Sequence, residues 1–490
     1  MAQDGAIVPL FGTAKQGYSP VVSAQRRVNL YVDTPADAEK GQIALLPRPG
    51  LRRLVSSQGV IVGTFRGMLD GDISGDFGIL GDRAAVGVIG DRGTLIFPAP
   101  ERVEQTYFYP LRTIDGRVRF TRNNDEIVLV DGTTGYVFNP GTPDYYILDE
   151  EGTATGFPNG ATSITYLAGR IVANKPGTGR FYWSALEDAL TWSSLDYATA
   201  ESAPDDLLAV WASHGELLLF GAYTTEFWAP STGSAAFARV GGAGAGWGVK
   251  AVDSIKNVNE GTIFLGQNFL GEVKVVMMRG YTPQPISTPA IETSIQNDVA
   301  DTAGATALAF QANGHSFYVL SFNEKSYCYD LTTGLWSEFS SGTEGGRWVA
   351  QYGTTLGNGF IVTDYSVNKV YWLDTDAYAD GDETIVREVI TRHVFSDYDR
   401  SSVYKLGVDF ETGVGLVSGQ GSDPQVMLQV SRDNGRTWGN ELWRSLGEIG
   451  DYAKRVWWTR LGRSRDWLFR LRMSDPVRMV IAGGSLKVGP

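Results

Sequence analysis

The feature that most limits what this chain can fold into is a two-strand unit that recurs seven times between residues 84 and 373. Short apolar strands rich in β-branched and aromatic residues begin near Ala84 (AAVGVIG), Asn124 (NDEIVLV), Gly169 (GRIVAN), Gly215 (GELLLFG), Gly261 (GTIFLGQ), His315 (HSFYVLSF) and Asn358 (NGFIVTDY). The intervals between them are 40, 45, 46, 46, 54 and 43 residues. Each is followed, after a polar or glycine-containing turn, by a partner strand: TLIFP, GYVFN, RFYWS, TEFWA, EVKVVM, KSYCYD and KVYWL. A hairpin cannot bury both of its faces alone, so hairpins at this spacing must stack on one another, as propeller blades do. The expected fold is therefore all-β, with a β-propeller of six or seven blades at its centre and no helices between the hairpins. The alternative is one large two-sheet sandwich, into which seven evenly spaced hairpins fit poorly. Glycine, 60 of 490 residues, supplies the tight turns such a fold needs.

The flanks read differently. Residues 1–55 form a polar arm punctuated by Pro9, Pro20, Pro35, Pro47 and Pro49, with no apolar face long enough to pack alone, so the arm is expected to drape over something else. Residues 56–383 hold the propeller. Residues 384–490 read as a separate β-sandwich, because Trp467, Phe469, Leu471 and Met473 alternate with Arg470 and Arg472 on the other face. Charge is segregated as well: residues 387–490 carry 16 Lys+Arg and 12 Asp+Glu, net +4, whereas residues 1–386 carry 26 and 43, net −17. A chain of net charge −13 repels phosphate and is no general nucleic-acid binder. A single cysteine excludes a disulfide framework and a Cys-based zinc site. Met1–Pro9 lacks a secretory pattern and no run of 18 apolar residues occurs, so synthesis in the cytoplasm and no membrane span are expected.

Candidate chemistry is sparse. His214, His315 and His393 lie in unrelated contexts, the first two at hairpin turns, and no G-x-S-x-G elbow is present. Cys328, between Tyr327 and Tyr329 in a strand, reads as a small core residue. Asp70–Asp76 (DGDISGD) and Asp374–Glu383 resemble calcium loops but lack, respectively, the closing carboxylate and the sixth-position glycine, so both read as solvated acidic loops. The glycine run Gly241–Gly248 lacks the GKS or GKT ending of a phosphate loop and reads as a flexible connection. Ser431–Trp438 (SRDNGRTW) matches an Asp-box, a structural hairpin turn known from sialidases, here in one strong copy. A glycan-binding or sialidase-like propeller enzyme is thus the alternative to a non-enzymatic reading with no catalytic residue, metal or cofactor. The last 60 residues interleave 12 Lys+Arg with five tryptophans, the composition of a protein interface facing an acidic neighbour; Trp457, Trp458, Arg460, Arg463 and Arg465 are its candidate contacts.

Several stretches resemble the tail hub or nozzle proteins of short-tailed bacteriophages, the packaged-DNA stabilisation family. They are GYSP (17–20), AQRRVNLY (24–31), ALLPRPGL (44–51), ATSITYLAGR (161–170), FYWS (181–184) and TEFW (225–228). The resemblance implies a structural virion protein, a propeller-bearing subunit assembling as a hexamer beneath the portal and its adaptor ring. It further implies a subunit that extends the DNA channel, helps retain packaged DNA and anchors a plug or needle and tailspikes or fibres, with no catalytic residues. The arm, including Arg26, Arg27 and Tyr31, is then expected to pack against the adaptor ring or a neighbouring subunit. Acidic walls would let genomic DNA slide past without sequence-specific binding.

Overall fold

The computed structural model describes residues 21, 23–34, 43–54, 65–71, 73–74, 83–89, 92–96, 111–139, 145–148, 156–201, 203–233, 235–367, 369–395 and 399–489. Of the described residues, 56% are strand and 3% helix, the nearly all-β content that the hairpin repeat demands. All seven hairpins form, each as an antiparallel pair within its own sheet. The sheets are blade 1 (residues 65–96), blade 2 (119–148), blade 3 (164–199), blade 4 (207–245), blade 5 (248–285), blade 6 (306–339) and blade 7 (350–374). In blades 3, 4 and 6 the first turn is the same two-residue loop: Ala168-Gly169, His214-Gly215 and Asn313-Gly314 all have φ between +51° and +82°. Two consecutive positive φ values make the mirror-image turn that suits a twisted hairpin, and they account for His214 as a turn residue.

The sheets close into a ring because alternate residues of each strand face opposite neighbours. In blade 2, Ile127 and Leu129 pack with Val86 and Val88 of blade 1, whereas Val128 and Val130 pack with Ile171 and Ala173 of blade 3. Equivalent buried clusters join blades 3 and 4 through Phe181 and Trp228, blades 4 and 5 through Phe220 and Phe264, and blades 5 and 6 through Met277 and Tyr318. Val319 and Tyr371 join blades 6 and 7, and Ile361 with Ala85 joins the seventh back to the first. Blade 7 takes its fourth strand from the arm: Gly50–Leu54 pairs antiparallel with Val370–Asp374, Leu51 opposite Leu373.

The rest of the arm builds the sandwich. Arg26–Val28 lies between the outer strand of blade 6, Leu335–Phe339, and Arg387–Ile390, so the blade 6 sheet runs on into the sandwich through the arm. Asn29, at φ +58°, turns the chain out of that sheet. Leu30–Asp33 and Ala44–Pro47 then join Ile481–Gly489, Ser401–Phe410 and Val456–Ser464 in the opposing sheet. Leu30, Val32 and Leu45 share one core with Val403, Leu406, Trp458, Trp467, Phe469, Leu471 and Met473. The alternation read in Trp467–Met473 is therefore real: its apolar face is core, while Arg470 reaches Gln429 and Arg472 reaches Glu388.

Two expectations are corrected. Helix Pro289–Asp298 interrupts the hairpins between blades 5 and 6, capped by Thr288 with Pro289 at its first turn. Only Ile291 and Ile295 of this helix are buried apolar residues, which is why its periodicity is faint. The glycine run is no flexible connection: Phe237–Ala245 is the outer strand of blade 4, pairing Glu226 with Gly244, and Gly248–Val249 pairs in blade 5. An exposed outer strand needs backbone hydrogen bonds more than side chains, so glycine serves there. Among the described residues no helix is long and apolar enough to cross a membrane.

Candidate functional site

The arm motif Pro47-Arg48-Pro49-Gly50-Leu51 sits where arm, ring and sandwich meet. Arg48 is fully buried, and each of its five N–H groups has an acceptor. Nε donates to Asn29 Oδ1 at 2.7 Å, Nη1 to Pro49 O and Asp380 Oδ1 at 2.8 and 2.9 Å, and Nη2 to Ser340 O and Asp380 Oδ2 at 2.8 and 2.6 Å. Its guanidinium lies 5.7 Å from the Phe339 ring and 5.4 Å from that of Trp348. Asn29 extends the network, its Nδ2 donating to Ser340 Oγ and Val386 O. Gly50 is required by close approach, because a Cβ there would lie 2.4 Å from Ala377 O and 2.6 Å from Ala379 O. Asp380 belongs to the stretch read as a solvated acidic loop, yet it is buried and holds Arg48; Asp374 and Asp382 meet Arg52 and Arg53 at the surface. In the other acidic stretch Asp70 pairs with Lys256 at 3.4 Å, while Asp72, Gly75 and Asp76 lie outside the described residues. Among the described residues no group of three or more His, Cys, Asp or Glu is placed to hold a metal ion.

A second contact seats the arm on blade 6. Tyr31 packs edge-on against His315 and Phe317 at 4.9 and 5.0 Å, and Asn313 Nδ2 donates to its hydroxyl at 3.3 Å. His315 Nδ1 lies 2.8 Å from Asp330 Oδ2 and Nε2 lies 3.6 Å from Asp33 Oδ1, one carboxylate from the blade and one from the arm. The hydrogen bond to Asp330 raises the His315 pKa above its ordinary value against the opposing effect of burial. A raised folded value means that this stabilisation is complete below the unfolded value of about 6.5 and disappears as pH climbs through the folded one. Thermal stability should therefore fall as pH rises from about 6.5 through the raised folded value in the native chain, and His315→Gln should flatten that slope; parallel slopes for the two proteins would refute the assignment.

The propeller axis is bridged. Arg119 Nε, on the inner strand of blade 2, lies 2.8 Å from Asp253 Oδ1 beside the inner strand of blade 5, and Arg117 Nε lies 3.4 Å from Asp253 Oδ2. Arg117 also donates to Tyr352 of blade 7 and to Gly304 O just before blade 6. The contact between Lys256 and Asp70 connects blade 5 to blade 1. Blades that are not neighbours in the ring are thus tied across its centre.

The sequence-predicted interface residues separate into two groups. Tyr31 and Arg27 are buried within this chain, Arg27 donating to Trp336 O with its pKa pushed by burial down to about 10. Arg26 pairs with Glu338 at 2.6 Å and Glu388 at 3.4 Å. Trp458 is also core, its indole donating to Leu442 O at 2.8 Å. Arg27, Tyr31 and Trp458 are therefore taken up by intrachain packing, whereas Arg26 stays partly exposed. Trp457, Arg460, Arg463 and Arg465 remain exposed, the first three on Val456–Ser464, the edge strand of its sheet. Alternation puts Val456 and Trp458 inside and Trp457 and Thr459 outside; a bulge at Arg460, φ +59°, turns that arginine outward as well. Lys405 Nζ sits 4.1 Å over the Trp457 ring, and Trp443, Arg444 and Arg455 extend the same exposed edge.

The remaining candidates are structural. Asp433 caps the Asp-box turn: its carboxylate accepts from the Thr437 hydroxyl, from Thr437 N at 2.9 Å and from the Ser431 hydroxyl, which together draw its pKa down to about 2. Gly435 supplies φ +84°, and Arg470 rather than core covers the Trp438 ring at 4.5 Å. Cys328 is fully buried, and burial pushes its thiol well above the ordinary value. His393 Nδ1 faces Asp466 Oδ2 at 2.6 Å. Sequence reasoning passed over Arg48, Asn29, Asp253, Arg117 and Arg119; the AQRRVNLY and PRPGL motifs offered a signal for Asn29 and Arg48, and nothing in them distinguished Arg48 from a surface arginine.

Residues 113–378 match the family model described as Bacteriophage P22 Gp10, beta-propeller, and residues 386–489 match the one described as Bacteriophage P22 Gp10, beta-sandwich. No curated protein matches the sequence. Similar solved structures include a chain of the S. cerevisiae Dbp5 complex with Nup159 and Gle1, at 8% identity over 71% of this chain and 99% of that one, TM-score 0.40. The Neurospora crassa Pan2 WD40 domain is similar at 9% identity over 65% of this chain and 92% of that one, TM-score 0.41.

Proposed function

The chain belongs to the bacteriophage P22 Gp10 family, a structural family of the phage tail, and from that premise we propose that it is an oligomeric tail hub that extends the DNA channel below the portal and adaptor. Its place is the virion, and its propeller is building material that positions other proteins. Assembly as a hexamer, retention of packaged DNA and anchorage of a needle, plug, spike or fibre complete the proposal.

The observation that carries it is the braced ring. Blades tied across the axis by Arg117, Arg119 and Asp253 resist shear, and a blade closed by the arm resists opening. Such a body is a rigid spacer. The same bridges leave no bore for a duplex inside one propeller, so the channel is formed between copies, and the −17 charge of residues 1–386 suits a wall that must not hold phosphate. Asp253, a carboxylate beside the inner strand of blade 5, is held by two arginines, which speaks for scaffold over the glycan-cleaving alternative.

Mass measurement of the purified full chain, alone and with portal–adaptor rings, tests this. Several copies should load onto each ring while a fluorogenic glycoside stays intact. A chain that ignores the rings, or that turns the glycoside over, would overturn the reading.

A further inference from the structure

The acidic charge of the propeller is unevenly placed. Residues 181–238, from within the third strand of blade 3 to the start of the outer strand of blade 4, contain no lysine or arginine and eight Asp and Glu. Two of these acids, Asp188 and Asp196, lie on the outer strand of blade 3, Asp188–Thr199, the free edge of its sheet, and Glu187 and Glu201 flank that strand in sequence. There the five-residue step from Trp192 to Tyr197 faces only the two-residue step from Tyr182 to Ser184, so Ser193–Asp196 bulges away from the ring. The bulge is braced from behind: a Cβ on Gly156 would lie 2.4 Å from the Ser193 backbone. Leu195, 83% exposed at its tip, and Leu186, 64% exposed at the adjoining turn, stand among Glu187, Asp188, Asp196 and Glu201. Two arginines of the same blade are engaged nearby: Arg180 covers the Tyr197 ring at 4.9 Å, and Arg170 Nη1 donates to Ser184 O at 2.7 Å.

The opposite pattern lies on the sandwich. Its edge strand Val456–Ser464 ends a five-stranded sheet whose other end is the arm strand Leu30–Asp33, which packs toward blade 6. Four strand spacings, about 19 Å, carry Trp457, Arg460 and Arg463 away from their own propeller. Blade 3 is the blade farthest round the ring from the sandwich, three places from blade 6 in one direction and three from blade 7 in the other. The two patches therefore point away from each other on one molecule, and neither can satisfy the other within it.

We propose that the edge strand Val456–Ser464 of one copy docks on the blade 3 rim of the next, Trp457 and Leu195 forming the apolar centre and arginines facing carboxylates around them. The occupant is a second copy because the patches are complementary in charge, each combines exposed apolar residues with that charge, and they lie on opposite sides of the molecule. Repetition of such a head-to-tail contact gives a closed ring when the rotation between copies closes. This contact rests on the oligomer proposed above and specifies its faces.

Cys328, the single native cysteine, is buried, so introduced cysteines report cleanly. A mixture of full-length Leu195→Cys and Thr459→Cys chains, oxidised at high concentration, should give a cross-linked heterodimer many times more abundant than either variant alone or a Thr459→Cys with Asn358→Cys control. The yield should drop several-fold in 1 M NaCl, where the Debye length is about 3 Å. It should also drop in Arg460→Glu/Arg463→Glu and recover when that chain meets Glu187→Lys/Asp196→Lys. A chain that sediments as an oligomer yet gives no such cross-link overturns the pairing and leaves the oligomer standing, with another acidic virion protein as the partner of the basic edge. A chain that stays monomeric at every concentration, alone and with portal–adaptor rings, and gives no cross-link overturns both.

Discussion

Replacing Arg48 by alanine should destabilise the chain by about 3–5 kcal/mol, because it strips a fully buried carboxylate of its counter-charge. Asp380 would keep the Ser341 hydroxyl but lose both bidentate bonds, while Asn29 Oδ1, Pro49 O and Ser340 O each lose a donor. The rings of Phe339 and Trp348 would also face a cavity where the guanidinium lay. Arg48→Lys should recover little, since an ammonium has three donors and no planar fork to match a carboxylate. Removing both charges in Arg48→Met/Asp380→Leu should be less harmful than Arg48→Ala, as expected when the cost lies in an orphaned charge more than in a lost attraction. Melting followed by near-ultraviolet circular dichroism ranks the variants; an Arg48→Ala protein melting within a degree of the native one would show that the network contributes nothing.

What was legible in the sequence follows from where each strand sits. The strand Ile127–Val130 is buried on both faces between two neighbouring blades, so it reads as an unbroken apolar run. Outer strands have less such pressure: Phe237–Ala245, mostly exposed, looks like a glycine linker and is a strand through backbone pairing, with only Phe237, Ala243 and Ala245 buried at its two ends. The arm was opaque for a different reason. Its partners lie 364 and 436 residues away, Arg26 against Ile390 and Leu45 against Ile481, and no local period marks a strand whose face is supplied by the far end of the chain. Arg48 and Asp380 were each visible, one within a proline motif and one within an acidic loop, but the pairing that makes them one feature exists only in three dimensions. The basic edge was half legible: composition found the Arg and Trp cluster, and only alternation along Val456–Ser464 sorts core Trp458 from exposed Trp457.

The same non-local pairing decides whether the sandwich can stand alone. Read from charge and strand pattern, residues 384–490 make a domain; in the structure the arm completes both of its sheets. Cut away from the arm, that segment would lose Leu30, Val32 and Leu45 from its core, all nearly or fully buried. At about 1.5–3 kcal/mol for each buried aliphatic side chain, the loss is about 5–9 kcal/mol. A domain of this size has only about 5–15 kcal/mol in total. It would also expose the edges of Ile481–Gly489 and Arg387–Ile390 that Ala44–Pro47 and Arg26–Val28 now cover. Residues 384–490 expressed alone should therefore show no cooperative thermal transition and should aggregate. Adding a segment spanning residues 23–54 in trans should restore a sharp transition and near-ultraviolet signal from Trp458 and Trp467. A cooperative melt of the isolated segment, unchanged by that peptide, would mean that the arm is laid on a finished sandwich and is no part of its core.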